Sequence, residues 1–352
     1  MASNPWQFWI DVGGTFTDCF ARTPVGKLLR HKLLSSGAAK GRAEAGSTRQ
    51  VIRDPLRAGD PPGFWNGWQL RLLSPTGNLL DSQPVEAFLA ERAELRLAGP
   101  LAAESIEGAA YELVGGGEAP IVGIRYLLGL AAEQPLPPVS VRLGTTRGTN
   151  ALLTRSGART ALVTTRGFAD VLEIGYQNRP KLFDLTIRKP EPLFAEVVEI
   201  EERLDAAGRV ITPLNESSAR ESLAAARERG VESLAICLLH GYRNGVHEQR
   251  LGELAHEAGF REVSLSSGVA PLIKIVARGD TTLVDAYLNP VLRDYVAGLR
   301  RELEAGGRCD LRLLSSAGGL MQAERFSGKD SILSGPAGGV VGFSRAARAV
   351  GF

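Results

Sequence analysis

Two acids, Asp11 and Asp18, flank a Gly-Gly turn and two threonines in the stretch FWIDVGGTFTDCFA, residues 8–21. That set has the makings of a phosphate site. Backbone N–H groups at a glycine turn hold phosphate oxygens, and a nearby carboxylate holds the Mg²⁺ that accompanies a polyphosphate. Gly13, Gly14, Thr15 and Thr17 are the candidate phosphate contacts; Asp11 is the candidate metal ligand, with Asp18 as a second catalytic acid. The competing reading is a plain hairpin tip, because glycine permits turns that residues with a Cβ resist.

Three further stretches carry candidate chemistry. GTTRGTNALLTR, residues 144–155, places Thr145, Thr146, Thr149, Asn150 and Thr154 where a strand gives way to a helix. Such a junction aims free N–H groups outward and favours anions, although an ordinary capped loop looks the same. GYQNRPKLFDL, residues 175–185, displays Asn178, Arg179 and Asp184 on a loop around Pro180. Arg179 can clamp a carboxylate in two-pronged fashion or pair with Asp184. LSGPAGGVVG, residues 333–342, strips side chains from a turn at Gly335, Gly338 and Gly339. A nucleoside lying on bare backbone needs that, and so does a closely packed helix.

Other patterns are excluded or bland. GxxxxGK[ST], GxGxxG and HExxH are absent. His247 and His256 fall on opposite faces of one helix, which argues against zinc. The tripeptide Arg278–Gly279–Asp280 reads as a helix start, with Asp280 or Thr281 as cap.

The elements that must position these residues follow from periodicity. Phe8 and Ile10 alternate with Trp9 and Asp11 as a strand. Thr15, Thr17 and Cys19 suit a second strand, and GKLLRHKLL a third, so residues 6–34 are consecutive antiparallel strands. Residues 35–65 are rich in turn formers, FWNGWQLR suits a small strand, and GGGEAPIVGIRYLLGL is a turn followed by a helix. VSVRLGTT and RTALVTT are strands around the short helix TNALLTRSG. VVEIEERLDAAGRVITPL reads as a hairpin. NESSARESLAAARERG is a helix with both start and stop signals. A strand (VESLAICLL), a helix (HEQRLGELAHEAG), a strand (EVSLSS) and a long helix through Pro290 follow. CDLRLLSSAGG is a strand, and SILSGPAGGVVGFSRAARAVG reads as strand, Gly-rich turn and helix. Alternating strands and helices with an antiparallel start give an α/β protein with mixed sheets flanked by helices.

Bulk properties narrow the function. The 352 residues suffice for two domains, and 44% hydrophobic with 23% charged residues is ordinary for a globular protein. A net charge of +2 gives no field favouring nucleic acid or an anionic membrane. No apolar run approaches a membrane span, and no basic-then-apolar leader opens the chain. Cys19, Cys237 and Cys309 are too few and too scattered for a disulfide or zinc framework, which fits a cytoplasmic protein.

Taken together, IDVGGTFTD, RLGTTRGTNALLTRSGARTALVTTRGFADVLEIG, QNRPKLFDL, APLIKIVARGDTTLVDAYLNPVL and SSAGGLM…SGPAGGVVG resemble the N-terminal half of the hydantoinase A and 5-oxoprolinase family. The resemblance implies an actin/hexokinase-type ATPase fold. Residues 1–205 would form an N-terminal domain carrying the first phosphate hairpin, with about 50–120 an extended insertion. Residues 206–352 would begin the hydantoinase A-type ATPase domain and stop before a second phosphate hairpin. It further implies ATP and Mg²⁺ as cofactors, with K⁺ as an optional further cation. Asp11, Asp18, Gly13, Gly14, Thr15 and Thr17 would serve the phosphates. Gly335, Gly338 and Gly339 would serve the nucleoside; Thr145, Thr146, Asn150, Arg179 and Asp184 would serve the substrate. The implied reaction opens a cyclic amide, 5-oxo-L-proline ahead of hydantoin, by phosphorylating its amide oxygen for attack by water. Glutathione metabolism is the setting that 5-oxoproline implies. The implied partners are a C-terminal domain or a hydantoinase B-type subunit, in a homo- or hetero-oligomer. Alternatives are the ATP-using subunit of a ketone (acetone or acetophenone) carboxylase and a non-catalytic ATPase-fold module.

Overall fold

The computed structural model describes residues 5–103, 105–178, 183, 185–186, 189–305, 307 and 309–351. The chain divides into two compact units. One comprises Met1–Thr146, Val296–Arg325 and Ser334–Phe352; the other comprises Arg147–Tyr295 and Phe326–Leu333. The cause of this division is strand pairing: Cys309–Leu314 returns to lie beside Val139–Thr145.

The first unit is built on a six-stranded mixed sheet. Its antiparallel half is β1 (Trp6–Val12), β2 (Phe16–Arg22) and β3 (Leu28–Leu34), as the alternation in the sequence predicts. β1 continues the sheet in parallel with Val139–Thr145, which runs parallel to Cys309–Leu314; Leu320–Gln322 closes the edge. Helix α1 (Ala119–Leu128) covers one face, over Phe8, Ile10 and Cys19, all buried. The helix Ser334–Ala349 packs on the other face, along Val139–Thr145 and Cys309–Leu314.

Residues 39–114 form a second six-stranded antiparallel sheet in the same unit, where sequence reading assigned an extended insertion and one small strand. Its long strand Leu79–Leu89 carries a register shift between Val85 and Ala87. The core holds Phe64, Trp65, Trp68, Leu70, Leu95 and Tyr111. The buried Tyr111 hydroxyl donates to Asp54 at 2.6 Å and accepts from Arg57 Nε at 3.3 Å. α1 is joined to this module by Tyr126, whose hydroxyl donates to Asp60 at 2.8 Å.

The second unit holds a four-stranded parallel sheet in the order Phe194–Ile200, Thr160–Thr165, Ser233–Cys237, Glu262–Leu265. Its two central strands, Thr160–Thr165 and Ser233–Cys237, are buried along their whole length because helices cover a parallel sheet. Helices Glu216–Glu228 and Val246–Glu257 supply Leu223, Leu251 and Leu254 to that core. The expected hairpin over 197–214 is smaller: Arg203–Leu204 pairs with Val210–Thr212, after a strand that belongs to the parallel sheet.

Two further expectations are corrected. Arg278 and Asp280 lie inside the helix Ile275–Glu304 and do not start it. Arg278 is buried, donating to the Leu238 and Leu272 carbonyls at 2.7 Å each, so its burial extends the helix N-terminally. SILSGPAGG forms no strand; a short helix, Gly328–Ser331, precedes the helix that contains the glycines. None of the described helices is long and apolar enough to cross a membrane.

Candidate phosphate-binding site

The register of the first unit decides which side chains share a face. Asp11 pairs with Asp18 across the hairpin and with Gly144 on its other side. All three line a cavity of about 630 Å³, together with Gly335, Gly338 and Gly339. A Cβ at position 144 would stand 3.2 Å from Asp11 Oδ1, so glycine there leaves room for the carboxylate. Partial desolvation, and then the facing Asp18 charge, push the Asp11 pKa above its ordinary value. Lys32 Nζ balances Asp18 at 3.1 Å from Oδ2.

The turn between the acids is built differently from the sequence expectation. Neither Gly13 nor Gly14 has the left-handed backbone that glycine alone tolerates freely. Crowding explains Gly13: its N–H donates to Phe16 O at 3.0 Å, and a Cβ would lie 3.0 Å from that same oxygen. Gly14 and Thr15 are exposed at the tip, and among the described residues their N–H groups have no acceptor. Those two amides are the donors a phosphate can reach.

Thr17 is not presented to the cavity. It is fully buried, and its hydroxyl lies 2.9 Å from Ser35 Oγ, which donates to Gly13 O at 2.7 Å. Thr17 and Ser35 therefore brace the turn from behind. Ser35 was not legible as a site residue. The burial of Thr17 was: it alternates with the small residues Cys19 and Ala21, which mark the inner face.

Thr145 and Thr146 lie beside the turn but serve the frame. Thr146 directs both N–H and Oγ1 at Val12 O, at 3.0 and 3.2 Å. Thr145 is buried, and its carbonyl accepts from Ser334 Oγ at 2.8 Å. Ser334 opens the helix Ser334–Ala349, so these bonds bring its first turn to the cavity. Gly338 is bare for packing, since a Cβ there would approach Leu314 Cδ2 at 2.5 Å. Gly339 faces open space, and Gly335 meets only Thr146 Cγ2 at 3.7 Å.

Asn150 belongs to the second unit, exposed on the helix Arg147–Leu153. Thr149 Oγ1 donates to Ile332 O at 2.6 Å, and Thr154 Oγ1 to Asn150 O at 2.9 Å. Arg179 and Asp184 lie outside the described residues. Among the described residues no group of three or more His, Cys, Asp or Glu side chains is placed to hold a metal ion. The donor set still fits Mg²⁺, which takes one or two carboxylates and completes its shell with water and phosphate oxygens. A hard cation beside Asp11 also offsets the desolvation and the Asp18 charge that raise its pKa.

Residues 103–259 match the family model described as hydantoinase/oxoprolinase N-terminal region, and residues 278–352 match that described as hydantoinase/oxoprolinase. The chain is 40% identical to 5-oxoprolinase 1 of Arabidopsis thaliana over 257 residues, covering 65% of this chain and 20% of the relative. It thus spans about a fifth of that relative's length. Among solved structures, nucleotide-free acetone carboxylase aligns with a TM-score of 0.64 at 20% identity, over 98% of this chain and 41% of the other. The ATP-dependent caprolactamase from Pseudomonas jessenii aligns with a TM-score of 0.60 at 24% identity, with the same coverage. The fold is therefore the mixed-sheet α/β fold of those two structures, opening with antiparallel hairpins. The matched stretches include the strand Val139–Thr145 and the helix Ser334–Ala349, which line the cavity with the two acids, and the chain belongs to the hydantoinase/oxoprolinase family.

Proposed function

We propose that this chain supplies the first phosphate clamp of an ATP-dependent amidohydrolase that opens a five-membered cyclic amide, 5-oxo-L-proline to L-glutamate. The observation that carries the reading is the Asp11–Asp18 pair beside the free Gly14 and Thr15 amides, opening on a cavity floored by Gly144 and Gly335. Asp11 would hold the Mg²⁺ of a nucleotide, and the two tip amides would donate to its phosphate oxygens. The nucleotide supplies the phosphoryl group that turns the poorly electrophilic amide carbon into a target for water. The chain's own part is to orient phosphate and metal on a rigid sheet end, where preorganised groups stabilise developing charge. Gly339, open to the cavity side, leaves space for the nucleoside.

Because the chain spans about a fifth of the 5-oxoprolinase it matches, turnover is proposed for an assembly that includes the remaining domains or a companion subunit. Residues 1–352 alone bind Mg·ATP weakly and do not release glutamate. Adding the remaining segments of a longer relative restores 5-oxoproline-dependent glutamate and ADP. Steady glutamate release by residues 1–352 alone, or ATP hydrolysis indifferent to 5-oxoproline in the assembly, refutes the reading. The acetone carboxylase likeness favours one second reading, in which ATP use is stimulated by a ketone together with bicarbonate.

A further inference from the structure

One row below the acids, the same face of the sheet changes sign. The register sets Arg142 beside Trp9, Trp9 beside Phe20, and Arg142 beside Arg312. This row lies two residues down each strand from Asp11 and Asp18, or roughly 6.6–6.8 Å. The Arg142 guanidinium lies 5.4 Å from the Trp9 ring centroid, and Arg22 lies 5.5 Å from the same ring. Arg142 Nη1 donates to Ser140 Oγ at 3.2 Å, which fixes the plane of the fork. Arg345, on the helix Ser334–Ala349, lines the same cavity.

These charges are not balanced. Arg312 has Asp310 at 3.1 Å, but among the described residues neither Arg142 nor Arg345 has a carboxylate within ion-pair distance. Arg142 stands beside Arg312 in the parallel pair, and the carboxylate two residues along that strand, Asp310, is taken by Arg312. A half-buried guanidinium with open donors and no counter-charge calls for a planar oxyanion.

We propose that Arg142 and Arg345 form a carboxylate subsite that selects an anionic cyclic amide over a neutral one. This rests on reading the cavity as a nucleotide and amide site. The amide oxygen faces the acidic row, where the phosphate turn lies. The ring spans the gap between rows over Trp9 and Phe20, and its carboxylate meets the arginines. A neutral lactam or a ketone has nothing to give them. The same chemistry suits a nucleotide phosphate, so the test separates the two oxyanions.

The 352-residue chain is titrated with 5-oxo-L-proline and with 2-pyrrolidinone, which lacks the carboxylate, following Trp9 fluorescence against a Trp9→Phe control. Mg·ATP affinity is measured separately by calorimetry. The expected result is saturable binding of 5-oxo-L-proline, at least tenfold tighter than 2-pyrrolidinone. Arg142→Met and Arg345→Gln each erase that preference and change Mg·ATP affinity by less than threefold, with unchanged melting. Equal binding of the two amides, no binding of either, or a preference that survives both replacements overturns the subsite. Loss of Mg·ATP affinity with the preference intact assigns the arginines to phosphate and also overturns it. If wild type binds 5-oxo-L-proline through the arginines but never Mg·ATP, the subsite stands and the nucleotide reading falls.

Discussion

Asp11 and Asp18 face each other across the β1–β2 pair with Gly144 on the far side of Asp11, so two carboxylates share one end of a cavity and Lys32, paired with Asp18, offsets one of their two charges. The arrangement costs stability in the absence of a cation, and that cost is measurable.

A group whose folded pKa is raised contributes stability that is fully present below its unfolded pKa and lost as pH rises through the folded value. For Asp11 that window opens near 3.8 and extends upward. Asp11→Asn removes the dependence. The variant should melt at or above wild type at pH 7 without Mg²⁺, and the gap should close near pH 4. In the complete assembly the same change should cost about two to three decades of ATP-dependent turnover, the loss of one preorganised contact. Thermal melts against pH, with and without Mg²⁺, check the first part. A variant that melts normally and keeps most of its turnover removes Asp11 from the metal and phosphate.

Thr17 tests bracing against direct contact. Thr17→Val keeps the shape and loses one hydroxyl behind the turn, which should cost about 1 kcal/mol and leave Mg·ATP affinity nearly unchanged. Ser35→Ala strands both Gly13 O and the Thr17 hydroxyl, and should cost about 1–3 kcal/mol. Calorimetric nucleotide binding beside denaturant unfolding separates the two. A Thr17→Val protein of normal stability that no longer binds Mg·ATP restores the direct phosphate contact.

How far the sequence spoke depended on period and length. The first three strands are legible because their alternation is strict and their loops short, and the same parity places Thr17 on the inner face with Cys19 and Ala21. The Ala39–Val114 sheet was hidden by short strands such as Ala39–Arg42 and Val51–Arg53, separated by turn formers that resemble a linker. Glycines misled at 335–339: a Gly-rich run reads as a turn, yet contacts such as Gly338 on Leu314 and the Ser334 bond to Thr145 O hold it helical. The start of Ile275–Glu304 depends on burying Arg278 against carbonyls distant in sequence, which no local rule displays. Arg142 was missed because one arginine in a strand has no motif; its meaning comes from the strands on either side.

Gly338 and Gly339 should part company. Gly338→Ala drives a Cβ to within 2.5 Å of Leu314 Cδ2 and should destabilise by about 1–3 kcal/mol, as overpacking does. Leu314→Ala in the same protein should recover part of that loss. Gly339→Ala meets nothing within 4 Å and should leave the fold untouched. Any effect it has should fall on nucleotide affinity, so equal ATP binding by Gly339→Ala and wild type would take the nucleoside away from this position.

His31 makes the junction between β3 and α1 sensitive to acid. Its ring stacks on Tyr126 at 3.7 Å between centroids, and Tyr126 in turn bonds Asp60, itself 3.6 Å from Arg57. Burial lowers the His31 pKa, and the Asp60 charge offsets this only in part. A base whose folded pKa is depressed binds protons more readily when unfolded, so its contribution is present above the unfolded value of 6.5 and lost as pH falls through the folded one. Wild type should therefore weaken as pH drops below about 6.5. His31→Phe keeps the stack and carries no proton, so its stability should stay flatter over the same range and exceed wild type at the acid end. Chemical denaturation of both proteins at pH 5 and pH 7.5 gives the comparison. Parallel losses in the two would place the acid sensitivity elsewhere, and a His31→Phe protein weaker at both values would mean the imidazole serves the stack through more than its ring.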